Sequence, residues 1–161
     1  LKDFLPRLKD YLLSRILGHE YDGDETEFSS AERAQVLFVN DRIFQHKVIR
    51  VNYTTYDLRR SQDSLNPCTH ADVMVLGHED NDTHPYWYAH ILGVFHANVI
   101  HRGGDAPPFE PRQMDFLWVW WFGCDPNNYR SGWKAKRLHR LGFIPADVAG
   151  AFGFLDPQQI I

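Results

Sequence analysis

The amino-acid sequence predicts a mainly β fold with a minor α contribution, and three observations lead to this prediction. Two long apolar-aromatic segments occupy the middle of the chain and are separated by a loop rich in Gly and Pro. Aromatic residues make up 14% of the 161 residues, which suits pleated surfaces that carry large rings. An apolar content of 43% is sufficient for one domain with a hydrophobic core.

The two aromatic segments span residues 86–99 and 114–124. In the first, alternation places one set of residues on a common face: Trp87, Ala89, Ile91, Phe95 and Ala97. The opposite face then carries Tyr88, His90, Leu92 and His96. A period of two predicts a strand with one buried and one mixed side. The second segment is apolar on both faces, which is typical of a strand that lies centrally in a sheet or closes a barrel.

An N-terminal helix is predicted for residues 1–18, because apolar residues recur there at three- and four-residue spacing. We expect this helix to pack on the domain rather than to bind a partner. Residues 19–32 carry six acids and no Lys or Arg, which indicates a solvated linker. The expected organisation is therefore a helix with an acidic linker over 1–30 and a β domain over 31–161.

Shorter elements are predicted on either side of the aromatic pair. Strands are expected at 36–39 and 43–51, with a turn at Asn40-Asp41 between them, and again at 71–76. A short helix is expected near 131–140, where Ser131 is a suitable N-cap residue. The tail after it is apolar and interrupted by Gly and Pro, which suits short segments that cover the domain.

Composition narrows the class of protein. A net charge of −4 argues against binding of polyanions by bulk charge. Two Cys fit neither a disulfide-rich scaffold nor a paired-Cys zinc motif, which favours a reducing compartment. No apolar run approaches the roughly 20 residues that span a bilayer, so no membrane partner is expected. The apolar ends of the chain suggest a piece of a longer protein.

Aromatic residues form the first candidate site. A methylated lysine is held by aromatic rings around its ammonium group through cation–π attraction. Most rings in the two aromatic segments are expected in the core, but strands with rings on both faces leave some for recognition. The candidate recognition residues are Tyr86, Tyr88, Trp118, Trp120 and Trp121.

A basic run forms an alternative site for nucleic acid. Residues 130–140 hold five Lys and Arg and no acid, and Trp133 within the run could stack on a base. A solvated amphipathic helix explains the same pattern and is favoured. The candidate phosphate-binding set, which assumes that two more Arg fold nearby, is Arg59, Arg60, Arg130, Trp133, Lys134, Lys136, Arg137 and Arg140.

Metal-dependent hydrolysis is a third and weaker alternative. His78 and His84 flank three acids, and Cys68 and His70 lie upstream, but their spacing matches no closed zinc motif. Asp57 and Asp63 flank two Arg, which indicates an ion-paired turn rather than an acid–base pair. No nucleophile elbow, phosphate loop or dinucleotide fingerprint is present. The sequence therefore predicts neither catalytic residues nor a metal or cofactor.

The order ADVMVLGHED, YWYAHILGVFHANV, loop, FLWVWWFGCDP resembles the bromo-adjacent homology domain over roughly residues 45–130. Residues 72–75 correspond to the family's Asp- and Val-containing strand, 88–95 to its Tyr-x-Ala-x-Ile strand, and 119–122 to its Trp-Phe strand. The family usually has Arg before Trp-Phe, and the loop over 99–112 is longer than its pattern. This resemblance implies a small twisted β-barrel that binds a histone tail or another chromatin protein.

A second resemblance covers nearly the whole chain. HKVIRVNYTTYDLRRSQD and GWKAKRLHRLGFIPAD are similar to a domain that recurs in mushroom-type fungi, in proteins associated with transposase-like mobile elements. Together the two resemblances imply a non-catalytic recognition module in the nucleus, within a larger transposon-associated fungal protein. Direct binding of nucleic acid remains the alternative function.

Overall fold

A computed structural model describes residues 3–19, 26–54, 60–77, 86–103, 110–124 and 140–161. Within these residues the helices are α1 (Phe4–Leu17) and α2 (Ser30–Arg33), with a short 3-10 helix at Pro157–Gln159. The strands are β1 (Val36–His46), β2 (Ile49–Thr54), β3 (Arg60–Leu65), β4 (Asp72–Leu76), β5 (Tyr86–His101), β6 (Arg112–Cys124), β7 (Leu141–Phe143) and β8 (Phe152–Leu155). The predicted mainly β class and the N-terminal helix are confirmed.

Two long strands, β5 and β6, form the centre of a six-stranded sheet whose described pairs are all antiparallel. Along the free side of β5, β4 pairs with residues 86–90 and β1 with residues 94–101. Along the free side of β6, β8 pairs with residues 117–120 and β7 with residues 122–124. Each central strand is therefore flanked by two shorter strands placed end to end.

A bulge at Leu92 changes which residues of β5 share a face. Ile91 pairs with Val119, whereas Gly93 pairs with Trp118, so Leu92 is an extra residue in the ladder. An extra residue inverts the alternation that follows it. As a result Ile91 packs in one hydrophobic cluster and Ala97 in the other. The single face predicted for Trp87 to Ala97 therefore does not continue through the strand.

Strand β6 contributes to both hydrophobic clusters, as expected for a central strand that is apolar on both faces. One face joins helix α1 in a cluster that includes Leu8, Leu12, Met114, Phe116, Trp118 and Phe154. The other face lies beneath the β2–β3 hairpin in a cluster that includes Leu65, Val73, Ile91, Leu117, Val119 and Trp121. The sheet is thus a middle layer between α1 and the hairpin.

Helix α1 is held to the rest of the chain by polar contacts as well as by its apolar face. The buried carboxylate of Asp10, only 3% exposed, accepts two hydrogen bonds from the Arg33 guanidinium at 2.7 and 2.6 Å. This contact raises the pKa of Arg33 above its ordinary value. Arg7 donates to the carbonyl of Phe152 at 2.7 Å. The helix is therefore held against the sheet by its apolar face and by these polar contacts.

The predicted turn at Asn40-Asp41 is a distortion inside one strand. Asn40 and Asp41 both have left-handed backbone conformations, with φ of 57° and 51°. The pairing of β1 with β5 shifts between Phe38 and Ile43 at this point. Asn and Asp tolerate left-handed φ better than other non-glycine residues, so the pair accommodates extra residues without ending the strand.

The hairpin and the six-stranded sheet are separate hydrogen-bonded sheets, and they are not closed into a barrel within the part of the chain that the structure describes. The helix predicted near 131–140 lies outside the described residues, except for Arg140. None of the described helices combines the length and apolar character needed to cross a membrane.

Candidate functional site

A groove of about 840 Å³ lies where the β2–β3 hairpin meets one end of the six-stranded sheet. Ligand pockets in proteins commonly have volumes of about 300–1,000 Å³, so the groove is large enough for a ligand or a peptide segment. Its described lining residues come from the hairpin, from β4 to β7 and from the last two residues of the chain. They are Val51, Asp63, Leu65, Asp72, Val73, Met74, Tyr88, Phe122, Leu141, Ile160 and Ile161.

A row of large side chains crosses the sheet at the groove. Met74, Tyr88, Phe122 and Phe143 are direct partners on four neighbouring strands, so they share one face. Phe143 stacks on Phe122 with ring centroids 4.5 Å apart. Tyr88 and Phe122 are half-buried and line the groove, whereas Phe143 is 45% exposed beside it. This face of the sheet is the one that carries Trp118 and Trp120, opposite the face under the hairpin, so Tyr88 and Phe122 border the groove from the α1 side of the sheet.

Two carboxylates give the groove its charge. Asp63 projects from β3, where its neighbour across the hairpin is Val51, and Asp72 begins β4. Asp72 Oδ1 lies 2.7 Å from Nδ1 of His90, and the Asp72 side chain is 75% exposed. Among the groove residues that the structure describes, none is Lys or Arg. The polar part of the groove is thus acidic.

This combination suits an organic cation. Aromatic faces attract a cation through the ring quadrupole, and carboxylates attract it by charge. The apolar walls favour a cation that also carries methyl or methylene groups. Methylation of lysine keeps the charge and adds apolar surface, so a methylated lysine side chain combines the features that the groove would recognise.

The structure places two predicted recognition residues in the core. Trp118 is 7% exposed and packs on Phe4 of α1 and on Phe154. Trp121 is 8% exposed and lies on the opposite side of β6, beneath the hairpin. Their rings therefore leave little surface for a ligand, because helix α1 and the hairpin cover the two faces of β6 at these positions.

The other three predicted aromatic residues are more accessible. Tyr88 lines the groove, and Tyr86 is half-buried at the start of β5. Trp120 is half-buried, and its Nε1–H donates to the carbonyl of Ile144 at 2.7 Å. The Trp120 ring packs 4.4 Å from Phe143, next to the groove rather than in it. Of the five rings, only Tyr88 is a described part of the groove wall.

The basic candidates are mostly outside the described residues. Arg59 and the run from Arg130 to Arg137, which includes Trp133, Lys134 and Lys136, belong to segments that the structure does not describe. Arg60 begins β3, and Arg140 is exposed immediately before β7. The predicted phosphate-binding patch therefore stays a prediction.

In the described part of the chain, the residues named for the metal-binding and catalytic alternatives do not form a cluster. Within it, no group of three His, Cys, Asp or Glu side chains is close enough to hold one metal ion. The loop with His78 and His84 lies outside the described residues. Asp63 lies on strand β3 and lines the groove, whereas Asp57 and Arg59, which belong to the same predicted ion-paired turn, lie outside the described residues.

Sequence reasoning missed most of the groove. Phe122 follows Trp120 by two residues on a strand, so alternation already placed it beside a predicted ring. Asp63, Asp72 and Met74 gave no such signal, because they reach the groove only through the pairing of β3 with β2 and of β4 with β5. Strand register, which the sequence does not state, brings them together.

Comparisons of the chain with protein-family models, with curated proteins and with solved structures find no match. The groove is therefore interpreted from its own chemistry. Its described lining combines aromatic rings, apolar walls and two acidic side chains.

Proposed function

We propose that this protein is a non-catalytic recognition module that binds a methylated lysine of a histone tail or another chromatin protein. The observation that carries the proposal is that Tyr88, Phe122, Asp63 and Asp72 all line one groove. A lysine-bearing segment would place its ammonium group near the rings and the carboxylates, and its neighbours along the aliphatic walls.

Each part of the groove has a distinct role in this proposal. The rings of Tyr88 and Phe122 attract the cation, at about 0.5–2 kcal/mol for each contact. Asp63 and Asp72 add attraction by charge and disfavour anionic ligands. The volume of about 840 Å³ exceeds the space of one side chain, so the groove also accommodates adjacent peptide residues.

The wider setting is part of the same proposal. The resemblance to the bromo-adjacent homology domain suggests that the hairpin and sheet together form a twisted, barrel-like body, and the shared hydrophobic cluster between them supports this arrangement. We further propose a nuclear location, because a chromatin ligand requires it. The proposal of a larger transposon-associated fungal protein rests on the resemblance of HKVIRVNYTTYDLRRSQD and GWKAKRLHRLGFIPAD to such proteins.

The test uses the 161-residue chain and fluorescein-labelled histone-tail peptides that carry Lys, mono-, di- or trimethyllysine. We expect at least one methylated peptide to bind more tightly than its unmodified counterpart. Tyr88→Ala and Phe122→Ala should each weaken that binding by about tenfold, which corresponds to about 1.4 kcal/mol. Asp63→Asn and Asp72→Asn should weaken it while leaving the fold intact. Fluorescence anisotropy measures the affinities.

Phe44→Ala is the matched control, because Phe44 is a partly exposed ring outside the groove lining. Equal binding of methylated and unmodified peptides, or equal loss in Phe44→Ala and Phe122→Ala, would contradict the proposal. Salt distinguishes the nucleic-acid alternative, because binding to phosphates falls steeply between about 50 and 200 mM salt. Steep salt dependence of duplex DNA binding without any peptide binding would favour that alternative.

A further inference from the structure

Two histidines on neighbouring strands point their ring nitrogens at each other. His46 closes β1, and His96 lies on β5 next to it. Nε2 of His46 is 2.5 Å from Nδ1 of His96. The ring centroids are 4.8 Å apart and the ring planes differ by 22°. Because the centroids are much farther apart than the nitrogens, the rings meet edge to edge instead of stacking face to face.

The two imidazoles differ in how firmly they are held. His96 is half-buried, and Phe44 packs parallel to it with centroids 4.7 Å apart and planes 11° apart. His46 is exposed at the end of its strand. Rotation of the His46 side chain can therefore widen the gap between the nitrogens while His96 keeps its position.

A small hollow of about 420 Å³ adjoins the pair. Gln113, Asp115 and Arg50 also line this hollow, and Asp115 is the direct cross-strand partner of His96. Asp115 Oδ1 accepts a hydrogen bond from Gln113 at 3.1 Å. The Asp115 carboxylate offsets the charge of Arg50, so the hollow does not present cationic side chains alone to an incoming metal ion.

We propose that His46 and His96 form a two-histidine site for a divalent transition metal, with copper(II) bound most strongly. Converging imidazole nitrogens are the ligand type that copper, nickel and zinc prefer, and copper(II) leads the affinity order for such sites. The metal takes the place of the proton shared by the two nitrogens. The coordinating nitrogen that carries this proton loses it to solvent or, by tautomerisation, to the second nitrogen of the same ring.

The coordination follows from the ring geometry. Metal–imidazole bonds are about 2.0–2.1 Å for zinc, so the nitrogens must move apart from 2.5 Å for one ion to lie between them. The exposed His46 supplies this movement. Water completes the coordination shell, because two imidazoles are the only donors the site is proposed to supply. The site is independent of the groove, whose described lining contains neither histidine.

The test adds copper(II) sulfate to the full chain, purified without a histidine tag. We expect one equivalent of copper per chain with nitrogen hyperfine coupling in the electron paramagnetic resonance spectrum. His46→Gln and His96→Gln should each reduce the affinity at least tenfold, and the double variant should bind copper no more tightly than either single variant. His70→Gln is the control, because His70 is an exposed histidine outside β1 and β5, in the segment where it bridges to Asn66.

Circular dichroism of each variant checks that the sheet is intact, and zinc(II) chloride repeats the titration with a second ion. Absence of copper binding would overturn the proposal. Copper affinity that is unchanged in both single variants, or that is lost in His70→Gln, would overturn it as well, because the ligands would then lie elsewhere in the chain.

Discussion

The two halves of strand β6 have similar sequences but different surroundings. On one face of the first half, Met114, Phe116 and Trp118 are at most 7% exposed. On the same face of the second half, Trp120 and Phe122 are only half-buried. Both halves consist of large apolar and aromatic residues, so composition does not explain the difference.

Coverage by other elements explains it. Helix α1 lies over the first half, where Phe4 contacts both Trp118 and Phe154 at centroid distances of 5.2 Å. The second half meets the three-residue strand β7, whose Phe143 packs on Phe122 but is itself 45% exposed. Rings under the helix stabilise the fold, whereas rings beyond it are available to a ligand.

The comparison is tested most strongly by truncating one ring in each half. Phe116→Ala should lower the free energy of unfolding by about 3–5 kcal/mol, because it removes a fully buried ring. Phe122→Ala should cost about 1 kcal/mol, since its ring already contacts solvent. Urea unfolding of both variants measures the difference. Similar losses in the two variants would show that the halves are equally packed.

The space around the glycines of the two strands that flank β6 gives a second contrast, with a smaller expected effect on stability. A Cβ at Gly153 of β8 would lie 2.6 Å from Nε1 of Trp121, whereas a Cβ at Gly142 of β7 would meet nothing within 4 Å. Gly153→Ala should therefore destabilise the protein by about 1–3 kcal/mol through overpacking. Gly142→Ala should change stability by no more than about 0.5 kcal/mol. Thermal unfolding compares them, and a neutral Gly153→Ala would argue against close packing at Trp121.

The smallest expected effect concerns the N-terminal cap of α2. This short helix also carries Arg33, which pairs with Asp10 of α1. Hydrogen bonds from the side chain and backbone of Ser29 lower the pKa of Glu32 below its ordinary value of 4.5. Because the pKa of Glu32 is lowered in the folded state, its ionised carboxylate stabilises the fold above pH 4.5. This stabilisation is lost as the pH falls through the folded-state pKa. NMR titration of the Glu32 carboxyl should give a midpoint below 4.5, and Ser29→Ala should raise it. An unchanged midpoint in Ser29→Ala would contradict the assigned cause.

Much of the fold could be predicted from the sequence, because local patterns carry it. The spacing of Leu8 and Leu12 predicted the helix, and the two-sided apolar pattern of β6 predicted its central place. The alternation in β5 was less informative, since Gly93 is a signal for a bulge but does not identify Leu92 as the extra residue. A bulge depends on how the neighbouring strand pairs, and that pairing is a property of the assembled sheet.

The candidate site was harder to predict for the same reason. Trp118 and Trp121 looked as suitable as Tyr88 in the sequence, because burial by α1 or by the hairpin is not visible there. Asp63 and Asp72 belong to different sheets and both line the groove. The His46–His96 pair likewise joins residues that are 50 positions apart.

The sequence by itself determined that this chain is mainly β, that its N-terminal segment is a helix with one apolar face, and that β6 is apolar on both faces. These features follow from hydrophobic periodicity, which each segment carries alone. Only the tertiary structure decided which rings remain accessible and which carboxylates join them. That outcome depends on strand register and on the limited length of the covering helix, because burial is set by neighbours distant in the chain.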